Sequence, residues 1–219
     1  MTEFTTPCNT RKKPWQPLKS SFFLIIFVLS LVSCGQNDDE PLPVLGRPTF
    51  VNGDSIPHTI PDFSFIDQDS QVVNNQTFAG KVYVVDFFFT SCPTICPKTT
   101  AQMFRIYKKF ENNDGIVLMA HSIDTKYDSV PVLKKYASKL GVKTDKWHFI
   151  TGDKDEIYGI ADDYFSIALE DPNAPGGYDH SGRFILIDKN RHIRSFCDGT
   201  DANDVNRFMK DIQKLLDEK

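Results

Sequence analysis

The chain has 219 residues, 40% of them hydrophobic and 25% charged, with a formal net charge of -4. That length holds one ordinary domain with something added to it. The charge balance leaves no basic footprint, so no nucleic-acid partner is expected, and no repeat of solenoid length is visible.

Taken in chain order, the first segment does not read as part of the fold. Arg11, Lys12, Lys13 and Lys19 precede an apolar run from Phe22 to Val32, well short of the roughly 20 residues that span a membrane. It reads as the h-region of a secretory signal covering residues 1–33. The run ends in Leu31-Val32-Ser33-Cys34-Gly35, and a small residue ahead of a cysteine at this place resembles the lipobox of bacterial lipoproteins. That resemblance implies cleavage before Cys34 and lipid on its sulfur. The expectation is an exported protein, anchored to the membrane rather than spanning it, with its domain facing the periplasm. The acidic stretch Asp38-Asp39-Glu40 resembles a tag that carries some lipoproteins to the outer surface, although a solvated tether accounts for it equally. From Pro41 to about Pro57 the chain is rich in Pro and Gly and reads as a linker. Residues 34–57 are thus the lipidated terminus and linker, and 58–219 the folded domain.

Within that domain, Phe63–Ile66 and Val72-Val73 flank Asp67-Gln68-Asp69-Ser70 as a hairpin would. Lys81–Phe89, "KVYVVDFFF", is almost wholly β-branched or aromatic and suits a strand buried on both faces. Apolar residues at helical spacing predict a helix over Pro97–Asn112. Ile116–Ile123 reads as a second buried strand. A helix follows over Ser129–Leu140, stopped by Gly141. Trp147–Thr151 is a short strand, Asp153–Asp162 a helix, and Phe184–Asp188 with His192–Phe196 a pair of strands around Lys189-Asn190. An amphipathic helix over Asp201–Leu216 closes the chain. Alternation in the middle argues for parallel βαβ units with a late antiparallel pair. The result is an α/β protein with a mixed central sheet flanked by helices. Its element order matches a thioredoxin-like fold with an N-terminal β-hairpin and an insertion.

Five cysteines are present. Cys8 leaves with the signal and Cys34 is the lipid site, which leaves Cys92, Cys96 and Cys197 in the domain. Three thiols in an exported domain are not a disulfide framework. In "TSCPTICPKTT" both Cys92 and Cys96 precede proline and are biased away from helical angles, while proline is favoured at the first helical position. The helix is therefore expected to start near Pro97, with Cys96 at or beside its N-cap and Cys92 in the loop before it. A helix N-terminus favours negative charge and lowers thiol pKa values. The pair has the spacing for a redox-active disulfide as well as for chelation of one ion, and it departs from the C-x-x-C of ordinary thioredoxins. A peroxidase nucleophile is a further reading, with Arg105, two turns down the expected helix, as the candidate arginine.

Five histidines are available as a third ligand. His58 lies in the lead-in, His148 inside a strand, and His192 in a turn; His121 ends a strand and would face a site at the sheet's end. His180 stands in "EDPNAPGGYDHSGRFILID", a Pro- and Gly-rich loop, and loops on rigid scaffolds carry sites. Asp179 beside it would orient the ring or tune it electrostatically, or merely cap a turn. Two thiolates select Cu(I) and imidazole also suits Cu(II), so Cys92, Cys96 and His180 would hold one copper ion in either state.

The blocks "TSCPTICPKTT", "SIDTKYDSVPVLKKYASKLG", "WHFITGD", "YDHSGRFILID" and "CDGTD" occur in the order and spacing of the Sco/SenC family, which the chain resembles from about Pro61 to its end. The resemblance implies a thioredoxin-like fold and copper held by Cys92, Cys96 and His180. It also implies delivery of copper to the CuA site of cytochrome c oxidase subunit II, or reduction of the cysteines there. Partners would then include other periplasmic copper chaperones or thioredoxin-like reductants, besides the membrane reached through Cys34. Two positions depart from the family pattern: Thr94 stands where Asp is frequent, and Cys197 where an aromatic is common. Cys197 is then a small strand-end residue or a resolving thiol. Thiol–disulfide exchange is the competing function, and a surface adhesin the reading that leaves the Cys/His set unexplained.

Overall fold

The computed structural model describes residues 40–218. The expected signal segment, Cys34 and Asp38-Asp39 lie outside them. Where the sequence reads as a linker, the chain instead forms a hairpin of β1 (Thr49–Val51) and β2 (Asp54–Ile56), paired antiparallel. It turns on Asn52-Gly53, both at positive φ, as the tightest hairpin loops require. All six strand residues are exposed, so no buried face betrayed them in the sequence. Ahead of the hairpin, Leu45 bridges to Ile193. The Arg194 guanidinium donates to the Leu42 carbonyl at 2.5 Å and to that of Pro43 at 3.3 Å. The lead-in is thereby docked onto the domain.

The hairpin expected at Phe63–Val73 is present as β3 (Ser64–Asp67) and β4 (Val72–Asn74). Asp67 closes it by accepting the N–H groups of Asp69 and Gln71 at 2.8 and 3.0 Å. Then come β5 (Val82–Phe88), α1 (Cys96–Phe110), β6 (Ile116–Ser122), α2 (Val130–Leu140), β7 (Trp147–Thr151) and α3 (Lys154–Asp163). Every residue of β5, β6 and β7 is buried, which explains their nearly continuous apolar sequences. Gly141 ends α2 in a left-handed conformation, and its N–H reaches the carbonyls of Ala137 and Ser138, a cap that a Cβ would strain. Asp153 starts α3 by accepting from the N–H groups of Asp155 and Glu156, as an N-cap should.

Next, β8 (Ala168–Glu170) and β9 (Tyr178–His180) form a small antiparallel sheet of their own. The sequence presents this stretch as a loop, because three-residue strands separated by Pro172, Pro175, Gly176 and Gly177 carry no periodicity. Finally β10 (Arg183–Ile187), β11 (Ile193–Asp198) and α4 (Ala202–Asp217) complete the chain.

The main sheet has the order β11-β10-β5-β6-β7-β3-β4. Its centre, β5-β6-β7, is parallel, and the outer pairs are antiparallel. Tyr107 of α1 and Tyr136 of α2 lie against Trp147, Phe149 and Phe88 on one face. Tyr164, just past α3, lies against Phe87 and His121 on the other. The expected mixed sheet between helices is what the chain builds. Strands β5 and β6 end flush, Phe88 opposite Ser122, so the loops that follow them meet at one end of the sheet.

Candidate metal centre

The carboxyl end of β5 delivers the two thiols. The chain leaves Phe88, makes a turn closed by the Cys92 N–H on the Phe89 carbonyl at 3.2 Å, and enters α1 at Cys96 with Ile95 as N-cap. Pro97 sits in the first turn, where its missing N–H costs nothing. Cys92 is thus in the loop and Cys96 in the first helical position, both buried. Neither is in a disulfide.

The small β8–β9 sheet delivers the third side chain. His180 pairs with Ala168 at the end of β9 and is buried. Its Nε2 lies 3.4 Å from Cys96 Sγ and 3.8 Å from Cys92 Sγ. The three ligand atoms all fall within 4.8 Å of one another, the single Cys/His/Asp/Glu group of three or more with metal-ligand spacing among the described residues. The Phe89 ring stands edge-on to His180 at 5.7 Å and closes one side.

The electrostatics divide the two thiols. Burial works to raise Cys92, but the backbone groups of Cys96 and Thr94 and the side chains of the same two residues outweigh it, and its pKa falls below the usual thiol value. Thr94 Oγ1 is 3.7 Å from the sulfur. Burial pushes Cys96 well up, and the neighbouring Cys92 and Asp86 push the same way. Burial holds His180 below the ordinary imidazole value, with Asp179 acting in the opposite sense. A neutral ring with a free lone pair is the form that binds metals. Two soft sulfurs and an imidazole, with no carboxylate among them, fit copper or zinc and not a hard cation. Three donors leave the closed four-ligand shell of structural zinc unfilled.

The other candidates go elsewhere. His121 is fully buried between Phe87 and Phe65, inside the sheet and away from the thiols. Alternation along β6 turns it toward the α3 face. His148 Nδ1 meets Asp67 at 2.9 Å, His58 Nε2 the Asp163 carbonyl at 2.8 Å, and His192 sits beside Asp188. Asp179 is exposed and does not orient His180, whose Nδ1 has no hydrogen-bond partner. Arg105 is exposed and occupied by Gln102 and Asn206, which removes the support for a peroxidase. Cys197 is buried opposite Phe184, outside the cluster, and burial pushes its thiol up.

Several residues that matter here escaped the sequence reading. Asp128 is fully buried and accepts from the Thr90 N–H at 2.9 Å, from the Thr90 hydroxyl and from Ser122 Oγ at 2.6 Å. Asp124 accepts the Tyr178 hydroxyl at 2.9 Å. The Tyr178 signal was available in "YDH", since residues two apart on a strand share a face.

The SCO1/SenC family model matches residues 52–217. The SCO1 protein homolog of Bacillus subtilis is 28% identical over 162 residues, covering 73% of this chain and 84% of that one. A structure of BsSco, reported with a disulfide switch and as a member of the Sco family of cytochrome c oxidase assembly proteins, superposes with a TM-score of 0.65. It is 26% identical and covers 80% of this chain and all (100%) of that one. Arabidopsis thaliana ScoI with copper bound is 25% identical, with a TM-score of 0.58, covering 70% and 98%. These likenesses carry the thioredoxin-like fold.

Proposed function

Because the chain belongs to the SCO1/SenC family, we propose that it is a copper carrier of cytochrome c oxidase assembly, handing copper to the CuA site of subunit II. The observation that supports this reading is the buried convergence of Cys92, Cys96 and His180. The copper-bound Arabidopsis relative and the oxidase-assembly role of BsSco support it from outside the chain. The cargo is one ion. As Cu(I) it sits on the two sulfurs; as Cu(II) it draws on the imidazole as well. Phe89 keeps water from one side of the ring, and an acceptor supplies its own ligands from the open side. Loading falls to another copper chaperone, and reduction of the pair to a thioredoxin-like reductant.

The anchoring part of the proposal comes from the sequence. The signal and lipobox make the protein an exported, periplasm-facing lipoprotein held through Cys34, with Asp38–Glu40 leaving surface display open.

Anaerobic titration of the full chain in detergent tests the reading. One copper per protein is expected, with Cu(II) binding weakened by His180→Ala on the order of a hundredfold and Cu(I) binding much less affected. Equal binding of both states by the variant and the parent would falsify the ligand assignment.

One observation favours a second activity, thiol–disulfide exchange, namely the lowered pKa of Cys92 beside a raised Cys96. The Cys92 thiolate attacks a target disulfide and releases one target thiolate. Cys96 then attacks the Cys92 sulfur and releases the second, so the target gains two electrons and the Cys92–Cys96 pair loses two. Cys96→Ser should trap the mixed disulfide. Failure to trap it with any disulfide-bonded CuA domain counts against this activity.

A further inference from the structure

We propose that the turn Asp124–Asp128 is the positioning element of the three-ligand centre, with Tyr178 holding its histidine arm and Thr90 its cysteine arm; this rests on the copper-carrier reading above. The turn is one rigid piece: the Asp128 N–H donates to the Asp124 carbonyl at 2.9 Å, and the Tyr127 N–H to Asp124 Oδ1 at 3.2 Å. The Tyr158 hydroxyl pins the preceding carbonyl, that of Ile123, at 2.9 Å. Its two carboxylates point to different halves of the site. Asp128 grips the backbone N–H and hydroxyl of Thr90, two residues before Cys92. Asp124 accepts the hydroxyl of Tyr178, two residues before His180.

The histidine arm needs such a hold. Strands β8 and β9 form a separate two-stranded sheet with no ladder to the main one, and an isolated hairpin is marginal by itself. The carboxyl end of β9 is tied to the main sheet through Ser181-Gly182 and β10, and the rest of the arm is held over the thiols by side-chain contact. Tyr178 and His180 lie on the same side of β9, and the Phe89 ring meets both, at 5.0 and 5.7 Å. Gly176 has φ of +83 and a Cβ there would fall 2.8 Å from that ring, so the loop is closed down tightly onto Phe89. Behind the Tyr178–Asp124 bond lies a surface cavity of about 600 Å³ that both residues line. Solvent reaches the bond from there, and the arm has room to move once the bond is broken.

Tyr178→Phe removes one hydroxyl and keeps the ring on Phe89. Three variants of the full chain, Tyr178→Phe, Asp124→Ala and Asp124→Asn, are compared with the parent in two measurements. In the reduced, metal-free protein, iodoacetamide should alkylate the Cys92/Cys96 pair at least about threefold faster in Tyr178→Phe and Asp124→Ala, because the arm opens more often. Asp124→Asn keeps an acceptor oxygen and should stay near the parent. In copper titrations the first two should lose about tenfold in Cu(II) affinity, the size of one hydrogen bond, with a shifted thiolate-to-copper absorption band and Cu(I) affinity unchanged. Matching melting temperatures keep a general folding defect from producing these effects. Parental alkylation and parental Cu(II) affinity in Tyr178→Phe overturn the proposal, and do so while His180→Ala still upholds the copper reading. If instead His180→Ala leaves copper binding intact, the copper reading fails, and the alkylation rates alone decide the role of the turn.

Discussion

At the scale of residues, the asymmetry of the two thiols is the feature with the most direct consequence. Cys92 lies in the loop and is 8% exposed; Cys96 is inside the first helical turn and 3% exposed. The backbone and side chains of Cys96 and Thr94 lower Cys92, while burial raises Cys96. Of the two, Cys92 is therefore the thiol that ionises more readily. Alkylation of Cys96→Ser, which leaves only Cys92 of the pair, should run on the order of tenfold faster at pH 7.5 than alkylation of Cys92→Ser. Mass spectrometry of the modified peptide reads the two rates, and a faster Cys96 would reverse the assignment. This pairing was half legible in the sequence. The two prolines placed the helix start within one residue, and the dithiol stood out by its spacing. Nothing in the sequence said which thiol would keep more solvent, because that depends on Phe89 and the β8–β9 hairpin closing over Cys96.

At the scale of elements, the central strands carry two buried ionisable groups that oppose each other. Asp86 of β5 is 4% exposed with Oδ1 unpaired, and burial pushes its pKa up to about 7. His121 of β6 has both ring nitrogens unpaired, and burial lowers it to about 3. The folded state holds a proton on Asp86 that the unfolded chain releases, so stability falls as pH rises from about 4 to about 7. It refuses a proton on His121 that the unfolded chain accepts, so stability falls as pH drops below about 6.5. The two slopes cancel in part between pH 4 and 6.5. Asp86→Asn removes only the first. It should stabilise the protein at pH 8 by up to about 4 kcal/mol, at roughly 1.4 kcal/mol per pKa unit, and leave it little changed at pH 4. Urea denaturation at the two pH values checks this, and an equal effect at both would contradict it. The turn that follows β6 contributes in another way. Asp128→Ala strips the partners from the Thr90 N–H and the buried Ser122 hydroxyl, and a loss of about 2–4 kcal/mol is expected in the same assay. Strands β5, β6 and β7 were legible because total burial writes an apolar run. Strands β1, β2, β8 and β9 were not, because three-residue strands with at most one buried residue each leave no pattern. Asp86 and His121 were visible as residues, but their missing partners belong only to the folded packing.

At the scale of the whole molecule, Arg194 joins three distant segments. It donates to the Leu42 and Pro43 carbonyls, pairs with Asp188 at 2.9 Å and reaches Glu218 at 3.1 Å. Removing a buried charge that satisfies so many groups leaves each of them unpaired. Arg194→Ala should cost about 3 kcal/mol, seen as a lower melting temperature and as proteolysis beginning in residues 41–48. An unchanged cleavage pattern would mean that the lead-in is held by something else. No sequence rule predicts this staple, since Leu42 lies 152 residues from Arg194.

The docked lead-in also has a direction. Leu45 bridges to Ile193; Ile193 pairs with Ile187, and Ile187 with Tyr83. That row crosses the amino end of β5, whereas the thiols follow its carboxyl end, about 20 Å away along the strand. The chain therefore enters the fold at one pole and offers Cys92, Cys96 and His180 at the other. The route of the lead-in is thereby kept clear of the end where Cys92, Cys96 and His180 meet, so an acceptor can approach the three ligands without displacing residues 41–48. Deleting residues 41–48 should accordingly lower the melting temperature while leaving copper affinity in solution untouched.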